Sequence, residues 1–236
     1  MRAAVALVLA ALAAGPGWAE CRQALALGLD ISGSVDAQEY RLQLDGVASA
    51  LDSPDVQAAF LTMPGTWVDL AIYEWSGPRD TRVTVPFTAI TGPGPLSDVA
   101  DRLRSARRPA GNPSTALGGA MSTGAAMVRT RPCWRRVVDI SGDGKSNTGP
   151  RPRDVKLGLG DVVVNALVIG TDDPGRGDRR AIQIGELGAY FRAEVIHGPD
   201  AFLETALGFQ DYARAMERKL IRELRVMVLG DGKDVP

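Results

Sequence analysis

The sequence predicts an α/β domain whose mainly parallel sheet is doubly wound, with helices on both faces. Three observations lead there. Strand-like apolar runs alternate with helical patterns along most of the chain. The run 162–169 is apolar almost throughout, as expected of a strand covered on both faces. Two carboxylates, Asp30 and Asp143, close such runs, and doubly wound folds place their ligands beyond the carboxyl ends of the strands.

In chain order, the first strand covers 23–30. A helix over 36–52 follows, with Leu42, Leu44, Val47, Ala48 and Leu51 at roughly helical spacing. Residues 68–75 form the next strand. Residues 83–87 alternate and contain Pro86, so they read as an edge strand. A short helix spans 97–106, with Ser97 as its cap. The small residues of 116–128 suit a helix packed closely on a sheet. Strands 136–141 and 162–169, a weaker strand 193–197 and a long helix 200–227 complete the series. Neither an internal repeat nor a low-complexity linker interrupts it, so one domain over 20–230 is expected, followed by a short polar tail, 231–236.

The chain has 236 residues, 45% hydrophobic and 23% charged, enough for one sizeable core. A net charge of -1 gives no electrostatic reason to expect nucleic acid. The cluster of Arg104, Arg107 and Arg108 reads as a solvated surface balanced by acidic residues elsewhere. Residues 1–19 are expected to be a secretory signal peptide. Arg2 precedes the apolar stretch 3–14, Gly15-Pro16-Gly17 breaks it, and small residues stand before a cleavage point after Ala19. The stretch is too short to span a membrane, and no later span is expected. The expected location is therefore periplasmic or secreted. Cys21 and Cys133 precede apolar runs at similar offsets, nine residues before Asp30 and ten before Asp143. If those strands are parallel neighbours, the sulfurs meet at one edge of the sheet as a disulfide. Two buried free thiols are the alternative.

Three separated segments supply oxygen ligands: Asp30-x-Ser32-x-Ser34, the loop 111–115 ending in Ser114-Thr115, and the loop 141–147 containing Asp143-Gly144. Alternate residues of an extended chain share a face. Asp30, Ser32 and Ser34 can therefore converge where the chain curls, and converging oxygens suit a hard cation. This constellation resembles the metal-ion-dependent adhesion site (MIDAS) of von Willebrand factor type A (VWA) domains, whose fold is doubly wound and Rossmann-like. The resemblance covers nearly the whole chain after residue 19. It implies one divalent cation, Mg²⁺ (or Mn²⁺/Ca²⁺), with hydroxyls from Ser32, Ser34 and Thr115. Asp30 and Asp143 lie close and act partly through bound water. Such an ion is electron-poor and accepts the Asp or Glu side chain of a partner protein at an open position. The implied activity is protein binding, and no turnover is required.

Each residue also has a bland reading. Asp30, Ser32, Ser34 and Thr115 could cap helices, and Asp143-Gly144 alone is an ordinary turn pair. A second reading of function is an Mg²⁺-dependent phosphatase of haloacid-dehalogenase type, whose last motif Gly142-Asp143-Gly144-x-x-Asn147 resembles. Those enzymes place an acid/base aspartate two residues after the nucleophile. Here Ser32 follows Asp30, and no lysine stands between Thr115 and Asp143. General acid help is worth about 10²–10⁴ in rate, which weighs against turnover. Gly28-x-x-x-x-Gly33 lacks the nucleotide-binding glycine patterns. Asp139 is expected to be a paired structural carboxylate, His197 a strand-end residue, and Trp67, Trp75 and Trp134 packing residues. The acidic loop 171–178 reads as solvated, with a second cation site as the alternative.

Overall fold

The computed structural model describes residues 19–110, 112–170 and 177–230. The expected signal peptide (except Ala19), the tail 231–236 and residues 171–176 of the acidic loop lie outside the described residues. Among those described, six strands form one sheet: β1 (Glu20–Asp30), β2 (Thr66–Trp75), β3 (Thr81–Ile90), β4 (Arg135–Gly142), β5 (Val163–Ile169) and β6 (Leu203–Ala206). Their spatial order is β3-β2-β1-β4-β5-β6. Every pairing is parallel except β2 with β3, so the Pro86 strand does lie at an edge. The order reverses between β1 and β4, which makes their carboxyl ends the switch point where a ligand crevice opens.

The helices are α1 (Ala37–Asp52), α2 (Pro54–Phe60), α3 (Pro93–Ser105), α4 (Leu117–Arg129), α5 (Pro152–Lys156), α6 (Gly177–Glu194) and α7 (Tyr212–Gly230). They cover both faces of the sheet, and β1 shows why the faces differ. Leu25, Leu27 and Leu29 enter one core with Leu44, Val47, Leu103, Met216 and Leu220 of α1, α3 and α7. Ala24 and Ala26 face the other, with Met121, Ala125 and Val128 of α4 and Phe191 of α6. The second face is built for close approach. A Cβ on Gly28 of β1 or Gly124 of α4 would stand 2.6 Å from the Tyr73 side chain between them. The Tyr73 hydroxyl donates to the Ala120 carbonyl at 2.9 Å.

α1 starts where its sequence orders it to. The Asp36 side chain accepts from the Gln38 and Glu39 amides at 2.7 and 2.8 Å, and the Glu39 carboxylate accepts from the Asp36 amide at 2.8 Å. This capping box takes the cap role considered for Ser34. Ser97 is not a cap either: α3 begins four residues earlier at Pro93, a favoured first helical residue. Thr115 caps nothing, because Ala116 holds the N-cap position of α4 without a side-chain bond.

The carboxyl-terminal third departs most from expectation. Residues 193–197 are not a strand. Ala193 and Glu194 end α6, and His197 makes only an isolated antiparallel bridge to Val164 of β5. The sheet takes 203–206 as its last strand instead, and the final helix begins at Tyr212 rather than near residue 200. Val195 and Ile196 read as strand by propensity, but they pack as the exit from α6.

Cys21 at the start of β1 and Cys133 just before β4 form a disulfide, with Cα atoms 4.6 Å apart. The parallel β1–β4 pairing brings them together. Asp69 lies beside this bridge and pairs with Arg131 at 2.7 Å. The sulfurs are bonded to each other and do not act as thiolate ligands.

Candidate metal centre

Asp30 is the last residue of β1 and has no exposed surface. Its Oδ1 accepts the Ser32 amide at 2.8 Å. That bond curls the chain just past the strand and turns Ser32 and Ser34 toward each other, their hydroxyls 3.2 Å apart. The Ser34 hydroxyl donates to Asp143 Oδ1 at 2.7 Å. Asp143 follows β4, the parallel neighbour of β1. Two segments 109 residues apart in sequence are thus joined through a hydroxyl and a carboxylate.

The third segment arrives through its backbone. The Gly33 amide donates to the Pro113 carbonyl at 2.9 Å, and the Ala116 amide donates to the Ser76 carbonyl at 2.8 Å. A Cβ on Gly33 would lie 2.8 Å from the Pro113 Cβ, so the two loops approach too closely for a larger residue to enter unchanged. Thr115, 6% exposed, is gripped from the Asp143 side. Its amide donates to Asn147 Oδ1 at 2.9 Å. Its carbonyl accepts the Asn147 amide at 2.9 Å and the Ser146 hydroxyl at 3.2 Å. The structure therefore links Asp30 to Ser32 through the Ser32 amide, links Ser32, Ser34 and Asp143 through their side chains, and ties the Thr115 main chain to the loop after Asp143.

Positioning groups outside the five candidate ligands stand behind this cluster. Gln43 of α1 donates to the Asp30 carbonyl at 2.9 Å. Arg108 donates to the Ile31 and Ser32 carbonyls at 3.3 and 3.2 Å, so one member of the arginine cluster supports this loop. Asn147 carries the reciprocal bond to Thr115. Its one sequence signal is its place in Gly-Asp-Gly-x-x-Asn.

The electrostatics ask for positive charge. Burial pushes the Asp30 carboxyl up to about 7, the neighbouring Asp143 carboxylate adds to this, and the Ser32 contacts and Arg108 oppose it. Burial also raises Asp143, against the Ser34 hydrogen bond. Asp30 Oδ2 is buried with no hydrogen-bond partner. A buried carboxylate oxygen without a partner costs free energy unless a proton or cation meets it. Two carboxylates and the Ser32 and Ser34 hydroxyls, all hard oxygen donors, fit a hard divalent cation.

Other residues fall into structural roles. Asp139 is buried and ion-paired with Lys219 of α7. Trp75 is buried, whereas Trp134 is 50% exposed and donates to Glu20 at 2.9 Å.

A family model described as "Protein of unknown function (DUF1194)" matches residues 20–228. No curated protein matches the chain. Among solved structures, proximal thread matrix protein 1 from the mussel byssus is similar at 17% identity with a TM-score of 0.57, over 88% of this chain and 49% of that one. Another structure of that mussel protein has a zinc-occupied MIDAS motif. An aerotolerance-related membrane protein from Bacteroides fragilis is similar at 15% identity with a TM-score of 0.51, over 84% of this chain and 98% of that one. The pilus adhesin SpaC from Lactobacillus rhamnosus GG is similar at 16% identity with a TM-score of 0.54, over 88% of this chain and 30% of that one. The match thus spans about half of the mussel protein and less of the adhesin. At these identities the likeness is one of fold, and that fold is VWA-type.

Proposed function

The chain belongs to the DUF1194 family, and from that premise and the geometry of its switch point we propose that it is an exported, divalent-metal-dependent protein-binding module. Ser32, Ser34 and Thr115 would hold the cation through hydroxyls, and Asp30 and Asp143 through water or directly. Mg²⁺ is the expected ion, with Mn²⁺ or Ca²⁺ as substitutes. Bound there, the cation supplies an open position for an Asp or Glu side chain of a partner protein. The protein's own part is to pre-orient the oxygens. The Asp30–Ser32 turn, the Ser34–Asp143 bond and the Asn147–Thr115 bonds hold them in place before any ion arrives.

The observation that carries this reading is the Ser34–Asp143 hydrogen bond at 2.7 Å, beside an unpartnered buried oxygen of Asp30. Oxygens from distant segments meet at the one place where a doubly wound sheet opens. Export is supported by the disulfide, which persists in oxidising compartments. No described helix is long and apolar enough to cross a membrane.

Titration calorimetry tests the centre. The wild type should bind Mg²⁺ or Mn²⁺ at one site, and Asp30→Ala should abolish the heat, because neutral hydroxyls hold a divalent ion poorly. An Asp30→Ala protein that binds as the wild type does removes the assignment. Mg²⁺-dependent phosphate release from a general phosphatase substrate, lost in Asp30→Asn, would establish the enzyme reading instead.

A further inference from the structure

A cavity of about 260 Å³ opens directly beside the candidate metal centre and shares Asp143 with it. Ile169 at the end of β5, and Ile184 and Leu187 of α6, give it apolar walls. Lys145 and Glu186 also line it. Its volume falls below the roughly 300–1,000 Å³ of pockets that enclose small molecules. It has room for one aliphatic side chain.

Asp143 places this cavity relative to the metal. One residue is both a wall of the cavity and a member of the oxygen cluster. A ligand whose carboxylate reached the cluster would carry its neighbouring side chain to the cavity mouth. The charge around the mouth agrees. Lys145 makes no ion pair among the described residues, and its ammonium lies 6.0 Å from the centre of the Tyr190 ring. It leaves a positive group on the approach to a site for a negative ligand. Glu186 on the same cavity disfavours a second acidic side chain there, so the companion residue should be uncharged.

We infer that this surface recognises two adjacent features of one partner: an acidic residue at the metal and a branched aliphatic residue, Leu or Ile, in the cavity walled by Ile169, Ile184 and Leu187. The inference rests on the metal-dependent reading above and adds the partner's chemistry to it. Metal and carboxylate alone would accept any exposed Asp or Glu. The cavity supplies selectivity, since specificity is a difference between affinities.

Four peptides test it against the whole protein in Mg²⁺: acetyl-Gly-Glu-Leu-Gly-amide and its Glu-Gly, Gln-Leu and Glu-Asp counterparts. Glu-Leu should bind about tenfold tighter than Glu-Gly, equivalent to ~1.4 kcal/mol. Glu-Asp should bind no better than Glu-Gly, and Gln-Leu should be lost. Ile184→Asn should erase the preference for Leu while Mg²⁺ binding and the thermal midpoint confirm a folded, metal-competent protein. Ile184 touches the region of Gly170, so Lys145→Met serves as the second variant. It should weaken both Glu peptides several-fold, because it removes the positive charge on the approach, while Mg²⁺ binding is kept. Equal, Mg²⁺-dependent binding of Glu-Leu and Glu-Gly would overturn the cavity's role and leave the metal reading standing. Binding of Gln-Leu as tightly as Glu-Leu would overturn two-point recognition. Absence of Mg²⁺ binding by the wild type would overturn the metal reading, and this inference with it.

Discussion

Thr115 is held by three main-chain contacts to Asn147 and Ser146 that its side chain does not make. Replacing it by Ala removes one hydroxyl and none of those bonds. Because Thr115 caps no helix but is buried, stability should fall by about 1 kcal/mol. Mg²⁺ affinity, read by calorimetry, should fall far more. A thermal midpoint that drops in step with metal affinity would make Thr115 a structural residue instead. At this scale the sequence is readable where chemistry imposes residue type. Asp30, Ser32, Ser34 and Asp143 could be picked out because carboxylates and hydroxyls at strand ends are unusual. Gln43 and Arg108 could not, because their importance lies in tertiary contacts with the carbonyls of Asp30, Ile31 and Ser32. Nothing in their own neighbourhood along the chain marks those contacts.

The elements divide along a similar line. β1, β2, β4 and β5 are interior to the sheet and nearly all buried, so their apolar runs mark them in sequence. α2 and α5, with seven and five residues, are too short to display a helical period. α6 holds Gly185 and Gly188 among many polar residues, and β6 has only four residues. Both pack against β5 at the sheet edge. α7 is tied to the sheet by charge as well as by packing. Lys219 pairs with Asp139 of β4 and lies 3.5 Å from Glu223, and all three are buried. Burial pushes Glu223 up to about 7 despite Lys219, and Asp139 adds to the rise. The native state then holds a proton that the unfolded chain has released above the ordinary glutamate range, near 4.3. Stability should therefore be greatest at the acid end of this window, fall as pH rises toward about 7, and level off above it. Asp30 carries the same sign in metal-free protein, so the diagnostic quantity is the difference between wild type and Glu223→Gln. Urea unfolding from about pH 5 to 7.5 should show a shallower fall for the variant. Parallel curves would mean that Glu223 does not titrate in this window.

Across the whole molecule, the two ends of the parallel sheet serve different purposes. The carboxyl ends of β1 and β4 hold the oxygen cluster. The opposite end is closed by the Cys21–Cys133 bridge, which links residues 112 apart in sequence. Asp30 lies nine positions beyond Cys21 along β1, about 30 Å at strand rise. A bridge that closes so long a loop restricts mainly the unfolded chain, and its loss should cost about 2–5 kcal/mol. The paired variant Cys21→Ser/Cys133→Ser should show that loss in urea unfolding. Its Mg²⁺ affinity should match the wild type at any temperature where both are folded, because no site oxygen is within reach of the change. The β1–β4 register pairs Leu29 with Ser141, so Asp30 falls beside Gly142 and Asp143 stands one residue beyond. A variant that keeps its stability would show that the bridge adds nothing to the folded state. A stable, folded variant with weakened Mg²⁺ binding would show that strain at the far end of the sheet reaches the site along β1 or β4.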